Sequence, residues 1–323
     1  IWFFFSAFLI SFLGVFILKK FAYQLNLIVI PTKSSLHQMA TPQGGGVVVG
    51  IVFLVFCIYY YLSGDLKTVE FLVLFGGCLI MTITGFLDDI INISPFKRFF
   101  IQILAASWGL YWIGGIPYSP IINQVPGLYT FVNIVSIVVI VWFINAFNFM
   151  DGIDGMSTSG AAFFSLTIGG YFFSQGIEPF GSLLIILAVS SFAFLYFNWP
   201  PAKMFLGDAG SYFYGYLFSF LFLITIKNDY MPIWTWLIIF AYFITDTTTT
   251  TFLRILLVKD WYRTHHSHAY QNLARVLNNH KFVTVLVIII NIFYLLPLAY
   301  ISIQYQEYGW LAFFVRPARP CQL

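Results

Sequence analysis

Two aspartates with the spacing to share a ligand lie in the segment NAFNFMDGIDG, residues 145–155. Asp151 and Asp154 are three residues apart, and each is followed by glycine. If this turn is helical, both carboxylates lie on one face, and the glycines let the backbone approach a ligand closely. Strongly apolar runs lie on both sides. The pattern indicates a site for a cation or a polar substrate; the alternative is a polar turn whose aspartates cap a helix.

A second acidic pair, Asp88 and Asp89, ends another apolar run. Adjacent carboxylates repel each other, and desolvation beside apolar walls makes it costly to charge both. A divalent cation or a nearby base would relieve that cost, and Lys97 and Arg98 follow in the same loop. The alternative is an acidic pair in water at the end of a helix.

A further aspartate, Asp208, lies between two glycines in FLGDAGS, residues 205–211. Aspartate is favoured at helix N-caps, and a helix N-terminus also attracts phosphate, so both interpretations can hold together. Asn198 and Lys203 belong to the same loop.

Three imidazoles are concentrated in HHSHAYQ, residues 265–271. They are His265, His266 and His268, and Arg263 precedes them. Zinc sites usually add cysteine or carboxylate ligands at a regular spacing, and this cluster lacks an obvious fourth ligand. We therefore expect the imidazoles to hold phosphate oxygens; the alternative is a solvated loop.

Two more features are ambiguous by themselves. The three glycines at 44–46 fit either a hinge or a backbone that approaches a ligand or a neighbouring helix. Asp246 lies inside an apolar run and is surrounded by threonines. A carboxylate at membrane depth is costly and is usually functional or paired, so Asp246 is either functional or a hydrogen-bonded structural group.

The composition identifies the class of protein. Of the 323 residues, 60% are hydrophobic, 21% aromatic and only 8% charged, whereas soluble domains carry about 25% charged residues. The long apolar runs predict an all-α, polytopic transmembrane bundle rather than a barrel, whose strands would be short and alternating. We expect one integral membrane domain over residues 1–323 and no nucleic-acid partner.

About ten spans are predicted, each of roughly 20 apolar residues. The run 1–18 is interpreted as a span rather than a signal peptide, because its charges, Lys19 and Lys20, follow the apolar part. A tail from Gln306 would add an eleventh. The ten spans are 1–18, 45–62, 69–87, 99–114, 131–147, 159–174, 181–197, 212–226, 232–253 and 282–304.

The distribution of Lys and Arg sets the orientation. With the N-terminus outside, eleven of these residues lie in inner loops and four outside. The acidic and histidine-rich loops all fall on the inner side. We therefore expect a multi-pass protein of a cytoplasmic membrane whose active face is cytoplasmic.

The predicted inner loops contain acidic residues that could bind a metal and basic residues that could bind phosphates, beside apolar segments that could hold a lipid tail. Together they indicate phosphoryl transfer between a nucleotide substrate and a membrane lipid. Magnesium commonly takes one or two carboxylates and leaves its other positions to phosphates and water. Two rivals remain: a polytopic transporter, and a non-catalytic subunit that binds a polyprenyl lipid.

At these residues the sequence resembles the polyprenyl-phosphate N-acetylhexosamine-1-phosphate transferases, glycosyltransferase family 4. The resemblance runs from about His37 to Gln271, and GFLDDI, NAFNFMDGIDG and FLGDAGS are its specific motifs. The HAYQ form of the histidine loop is similar to the bacterial branch that starts O-antigen or related surface glycans. Ser267 interrupts the three-histidine run of the peptidoglycan-precursor branch.

The resemblance implies a reaction and its partners. The phosphate of undecaprenyl phosphate attacks the β-phosphorus of a UDP-N-acetylaminosugar, sugar-1-phosphate moves to the lipid, and UMP leaves. It implies Mg²⁺, with Mn²⁺ as a substitute, a bacterial inner membrane and a homodimer. The donor sugar is left open among N-acetylglucosamine, N-acetylquinovosamine and N-acetylfucosamine.

The resemblance also implies roles for individual residues. Either Asp88 or Asp89 deprotonates or positions the lipid phosphate, and His268 completes the catalytic set. Asp208 is the magnesium ligand, with Asp151 near it. The substrate-binding residues are Asp154, Asn148, Asn198, Lys97, Lys203, Arg263, His265 and His266.

Overall fold

The long apolar runs of the sequence form α-helices. The computed structural model describes residues 2–31, 39–117, 125, 127–258, 267–309 and 311. Within those residues the helices are α1 (Trp2–Phe21), α2 (Gly46–Leu62), α3 (Thr68–Ile91), α4 (Pro95–Ile113), α5 (Leu128–Phe149), α6 (Met156–Ser174), α7 (Phe180–Asn198), α8 (Gly207–Lys227), α9 (Ile233–Ile239), α10 (Ala241–Leu257), α11 (Ala269–Leu277) and α12 (His280–Gln304).

Departures from regular α-helix are short. One-turn π-helical segments, Leu72–Gly76 and Asn291–Leu295, lie inside α3 and α12, and a 3₁₀ turn, Gln306–Tyr308, follows α12. In the described part of the chain, strand structure is limited to one two-residue antiparallel pair, β1 (Ile28–Val29) with β2 (Thr41–Pro42). The prediction of an all-α membrane protein is confirmed.

Six of the described helices are long and apolar enough to cross a membrane: α1, α3, α5, α7, α8 and α12. Helix α2 is apolar but has only 17 residues. All ten predicted spans coincide with helices, although the ninth, 232–253, is divided at Phe240 into α9 and α10. The count of ten or eleven spans stays a prediction, because most of the tail lies outside the described residues.

Helix α8 is the centre of the bundle. It is the most buried of the six candidate spans and packs against α3, α5 and α2. Glycines allow these close crossings. A Cβ on Gly215 would collide with the backbone of Ile144 in α5, and a Cβ on Gly85 would collide with the backbone of Asp208. Since Gly85 lies within about two turns of the end of α3, that end is brought against the start of α8.

Candidate active site at the start of helix α8

Asp89, at the end of α3, caps helix α8 from outside. Its Oδ1 accepts the N–H of Asp208 at 2.9 Å, and its Oδ2 accepts the N–H of Ala209 at 3.2 Å. An N-terminal helix dipole stabilises a carboxylate in this place. The alternative that Asp208 itself is the N-cap is wrong: Asp208 lies within the first turn, and its side chain is left for other partners.

The triple-glycine segment approaches this same turn. The N–H groups of Gly45 and Gly46 donate to the carbonyl oxygens of Phe205 and Leu206, at 3.0 and 2.9 Å. The next residue, Gly207, has φ +76°, and a side chain there would meet the carboxylate of Asp89. Of the alternatives left open by the sequence, the glycines therefore serve a close backbone approach that begins α2 and α8 side by side.

Asp88 is turned away from Asp89 and is almost completely buried, with 3% of its surface exposed. Its Oδ1 accepts the N–H of Ile93 at 2.7 Å. Its Oδ2 accepts from Arg98 Nη1 at 2.8 Å and from the hydroxyl of Tyr212 at 3.0 Å. Asp88 is thus held by three donors, and in turn it fixes the position of Arg98.

Asp208 is the more open carboxylate. Asn148 Nδ2, at the end of α5, donates to its Oδ1 and also to Ser211 Oγ at 3.1 Å. Arg98 Nη1 lies 3.6 Å from its Oδ2. One guanidinium is therefore shared between Asp88 and Asp208, and one amide orients Asp208 from the opposite helix.

Asp151 faces the same group of acids from the loop between α5 and α6. Burial raises the pKa of Asp151 well above its ordinary value, and the charges of Asp208 and Asp89 raise it further. The nearby N–H of Gly207 acts in the opposite direction and lowers this pKa. A cation beside Asp151 and Asp208 would relieve this repulsion and keep both carboxylates ionised.

Asp154 and Asn198 hold the neighbouring loops together. Asp154 Oδ2 accepts the N–H of Ala202 at 3.0 Å and lies 3.6 Å from His280 Nδ1. Asn198 is buried; its Oδ1 accepts from Gly155 N–H at 3.1 Å. These contacts give both residues a part in positioning the loops, and their assignment to the nucleotide stays a prediction.

The basic residues differ in whether they contact the carboxylates of the site. Lys97 is exposed, and Lys203 is also exposed, with its ammonium 4.8 Å from the ring centroid of Tyr196. Arg98 is the cation that the described structure places directly on the carboxylates. Three further predicted ligands lie outside the described residues: Arg263, His265 and His266.

His268 is buried at the start of α11. Its ring lies 5.6 Å, between centroids, from that of Phe149, the last residue of α5. Its Nδ1 lies 3.2 Å from a carboxylate oxygen of Asp246. The interpretation of Asp246 as a hydrogen-bonded group inside the helix therefore agrees with the structure, and its partner is part of the histidine loop.

Two residues at these carboxylates are not among the predicted site residues: Tyr212, which the sequence analysis does not name, and Arg98, which it names only as a base near Asp88 and Asp89. A signal existed for each. Tyr212 follows Asp208 by four residues, which places both on one face of α8. Arg98 stands in the first turn of α4, directly after the loop that follows Asp88 and Asp89.

The donor set suits a hard cation that keeps water and phosphate ligands. Among the described residues, no three carboxylate, imidazole or thiol groups come together as a complete metal site. Magnesium does not need such a cage, since it is commonly held by one or two carboxylates together with substrate phosphates. Asp208 and Asp151 fit that requirement, because both are acidic, the charge of Asp208 acts on Asp151, and the amide of Asn148 orients Asp208.

The cap formed by Asp89 has a testable effect on stability. Replacing Asp89 with alanine leaves the N–H groups of Asp208 and Ala209 without their buried acceptors. We expect the free energy of unfolding to fall by about 2 kcal/mol, visible as a lower melting temperature in detergent. Asp89→Asn, which keeps one acceptor oxygen, should lose less. Equal melting temperatures for Asp89→Ala and the unaltered protein would contradict the capping role.

Known proteins resemble this chain over the same elements. A family model described as Glycosyl transferase family 4 matches residues 71–226, which include α3 to α8. A "probable undecaprenyl-phosphate N-acetylglucosaminyl 1-phosphate transferase" of Bacillus subtilis is 30% identical over 266 residues, covering 77% of this chain and 71% of that protein.

Two other relatives have names that specify different substrates. A decaprenyl-phosphate N-acetylglucosaminephosphotransferase of Mycobacterium tuberculosis is 28% identical over 236 residues, 66% of this chain. A phospho-N-acetylmuramoyl-pentapeptide-transferase of Thermotoga maritima is 30% identical over 183 residues, 54% of this chain. The chain spans 57% of the length of each of these two proteins.

Proposed function

Because the chain belongs to glycosyl transferase family 4, the polyprenyl-phosphate hexosamine-1-phosphate transferases, we propose that it transfers an N-acetylaminosugar-1-phosphate from a UDP-sugar to undecaprenyl phosphate. UMP is released, and the product starts a lipid-linked surface glycan of the O-antigen kind. The observation that carries the proposal is the cluster at the start of α8, where Asp208, Arg98 and Asn148 meet between membrane-compatible helices.

The reaction needs charge neutralisation more than a strong base. An oxygen of the lipid phosphate forms a bond to the β-phosphorus, and the bond from that phosphorus to the bridging oxygen of UMP breaks. The nucleophile is already an anion, so the main barrier is repulsion between two phosphate groups. Arg98 supplies one fixed positive charge, held in place by Asp88.

Asp88 is better placed to orient than to abstract a proton. Both of its oxygens already accept hydrogen bonds from Ile93, Arg98 and Tyr212. Asp89 is engaged by two backbone amides. In the proposed mechanism the two residues therefore have different roles. Asp88 holds Arg98 in place, and Asp89 fixes the position of Asp208.

Asp208 and Asp151 are the proposed holders of Mg²⁺, with Mn²⁺ as a substitute. A bound divalent ion would neutralise phosphate charge and stabilise the leaving UMP. Asn148 orients Asp208 for that purpose. The other residues predicted at the nucleotide and phosphates keep those roles as part of the proposal, except Lys97, whose side chain is exposed and whose role is given to Arg98.

The proposed location is the bacterial cytoplasmic membrane, with the N-terminus outside and the site facing the cytoplasm. The ends of α3 and α5 and the starts of α2, α4 and α8 meet at the site. Helix ends and helix starts meet on one side in this way when successive helices cross the membrane in opposite directions. The excess of Lys and Arg on this side supports the orientation. A homodimer is the proposed assembly.

Transfer itself is tested on membranes that contain the expressed protein. We expect incubation with undecaprenyl phosphate, Mg²⁺ and a radiolabelled UDP-N-acetylaminosugar to yield a lipid-linked sugar and UMP. Excess chelator should abolish the reaction, and Mg²⁺ or Mn²⁺ should restore it. A panel of N-acetylglucosamine, N-acetylquinovosamine and N-acetylfucosamine donors identifies the sugar. Absence of UMP release with every donor, in membranes that contain folded protein, would contradict the proposal and favour a transporter or a non-catalytic lipid-binding subunit.

A further inference from the structure

Asp246, inside helix α10, binds the start of helix α11. Its Oδ1 accepts from Thr250 Oγ1 at 3.1 Å and from the N–H of Ala269 at 3.1 Å, and it lies 3.2 Å from His268 Nδ1. Its Oδ2 accepts the N–H of Tyr270 at 3.1 Å. Asp246 is buried, with 7% of its surface exposed, so this carboxylate caps α11 and is the partner of His268, the residue directly before that helix.

The contact determines which nitrogen of His268 carries a proton. A carboxylate that already accepts two backbone N–H groups acts toward an imidazole as an acceptor, so Nδ1 must be the donor. The hydrogen bond made by one ring nitrogen sets the state of the other. His268 is consequently fixed in the form with a proton on Nδ1, and its ring cannot turn over without losing the bond to Asp246.

The same turn of α11 rests on the loop that carries Asp151. The hydroxyl of Tyr270 donates to the carbonyl oxygen of Phe149 at 2.5 Å and accepts from the N–H of Gly152 at 2.8 Å. A side chain on Gly152 would collide with the amide of Gln271. A displacement of α11 would therefore be transmitted to the backbone on both sides of Asp151.

We propose that Asp246 is a positioning residue for the transfer reaction, acting through His268 at the start of α11. The inference rests on the proposed function, because it assigns a part in that reaction to a residue that touches no substrate. Asp246 holds the imidazole in one protonation form and one orientation, and it seats α11 on the Asp151 loop. Asp246 lies in α10 and acts on the site through α11 rather than by direct contact with Asp151 or Asp208.

Asp246→Asn tests the proposal, with Thr250→Val as the matched control. Asparagine keeps the size of the side chain, but it has one acceptor oxygen instead of two and no negative charge, so it cannot accept from both His268 Nδ1 and the N–H of Tyr270. Loss of an orienting partner of this kind typically costs about 10-fold to 100-fold, so we expect kcat to fall in that range while KM for the UDP-sugar changes little. Thr250→Val removes a different bond to Asp246 and should leave kcat within about threefold.

A double-mutant cycle separates positioning from a general structural effect. If Asp246 acts through His268, Asp246→Asn should change kcat by less than about threefold once His268→Gln is present. Independent, multiplying effects in the cycle, or a kcat for Asp246→Asn equal to that of the unaltered protein, would overturn the proposal.

A spectroscopic measurement gives an answer even if Asp246→Asn does not fold. In ¹⁵N-histidine-labelled protein, the His268 signals are identified by their loss in His268→Gln. We expect a proton on Nδ1, and a neutral imidazole with its proton on Nε2 alone would overturn the inference. This measurement needs no substrate, so it is distinct from the transfer assay, whose failure would count against the proposed function instead.

Discussion

Replacing Asp208 with asparagine is expected to lower kcat for transfer by about a thousandfold, a loss typical of removing one preorganised electrostatic group from an active site. Asparagine keeps the shape and can still meet Asn148 and Arg98, but it lacks the negative charge proposed to hold a divalent ion. The measurement is the initial rate of UMP release at saturating undecaprenyl phosphate and UDP-sugar.

The matched control for this change is Asp65→Asn. Asp65 is an exposed aspartate whose side chain accepts from Ser63, between α2 and α3. This variant makes the same chemical replacement at the end of α2 that lies away from the candidate site, and it should leave kcat within about twofold. If Asp208→Asn kept kcat within about tenfold of the unaltered enzyme, Asp208 would not hold the ion on which the proposed reaction depends.

A second experiment compares substitutions of Arg98 and Lys97, which are neighbours in the sequence, and we expect very different effects on kcat. Arg98→Leu leaves Asp88 buried without its cation, which for a buried pair costs about 3 kcal/mol of stability. It also removes the fixed charge beside Asp208, so we expect kcat to fall by at least about a hundredfold. Lys97→Leu alters an exposed side chain and should leave kcat within about threefold.

The comparison also decides between two assignments of the phosphate-binding cation. The sequence predicts Lys97 for that role, whereas the structure places Arg98 at 2.8 Å from Asp88 and 3.6 Å from Asp208. Arg98→Lys adds a useful variant, because lysine keeps the charge but replaces the planar guanidinium, whose Nη1 contacts both carboxylates, with a compact ammonium. Equal losses for Lys97→Leu and Arg98→Leu would contradict the arrangement described here.

The fold was predictable because its signal is local. Each apolar run long enough to span a membrane is a helix in the structure, since such a helix satisfies its own backbone groups without outside partners. The division of the ninth predicted span at Phe240 was missed because no local signal in the sequence marks it. Phe240 is as apolar as its neighbours, and neither proline nor glycine marks the break between α9 and α10.

The sequence pattern selected the candidate acids but not their contacts. Acidic residues at the ends of apolar runs pointed to Asp88, Asp89, Asp151 and Asp208. The capping of α8 by Asp89 joins residues 119 positions apart, and no pattern within a single segment reveals such a pairing. It follows from the crossing of α3 and α8 at Gly85, which only the packed helices determine.

The hydrogen-bond partners of Asp246 also could not all be predicted from the sequence. Its position among threonines suggested that hydroxyl groups satisfy it, and Thr250 does donate to it. Three further partners come from residues 268–270, because α11 folds back along α10. A sequence pattern can show that a buried carboxylate needs partners, but the tertiary fold selects them.

The central claim is that Asp151 and Asp208 hold a divalent ion at the start of α8. The most direct measurement is anomalous scattering from Mn²⁺ in crystals of the protein grown or soaked with that ion. We predict one strong peak per chain, within coordinating distance of both carboxylates, and its loss in Asp208→Asn. A peak at a different place, or none at a saturating Mn²⁺ concentration, would contradict the claim.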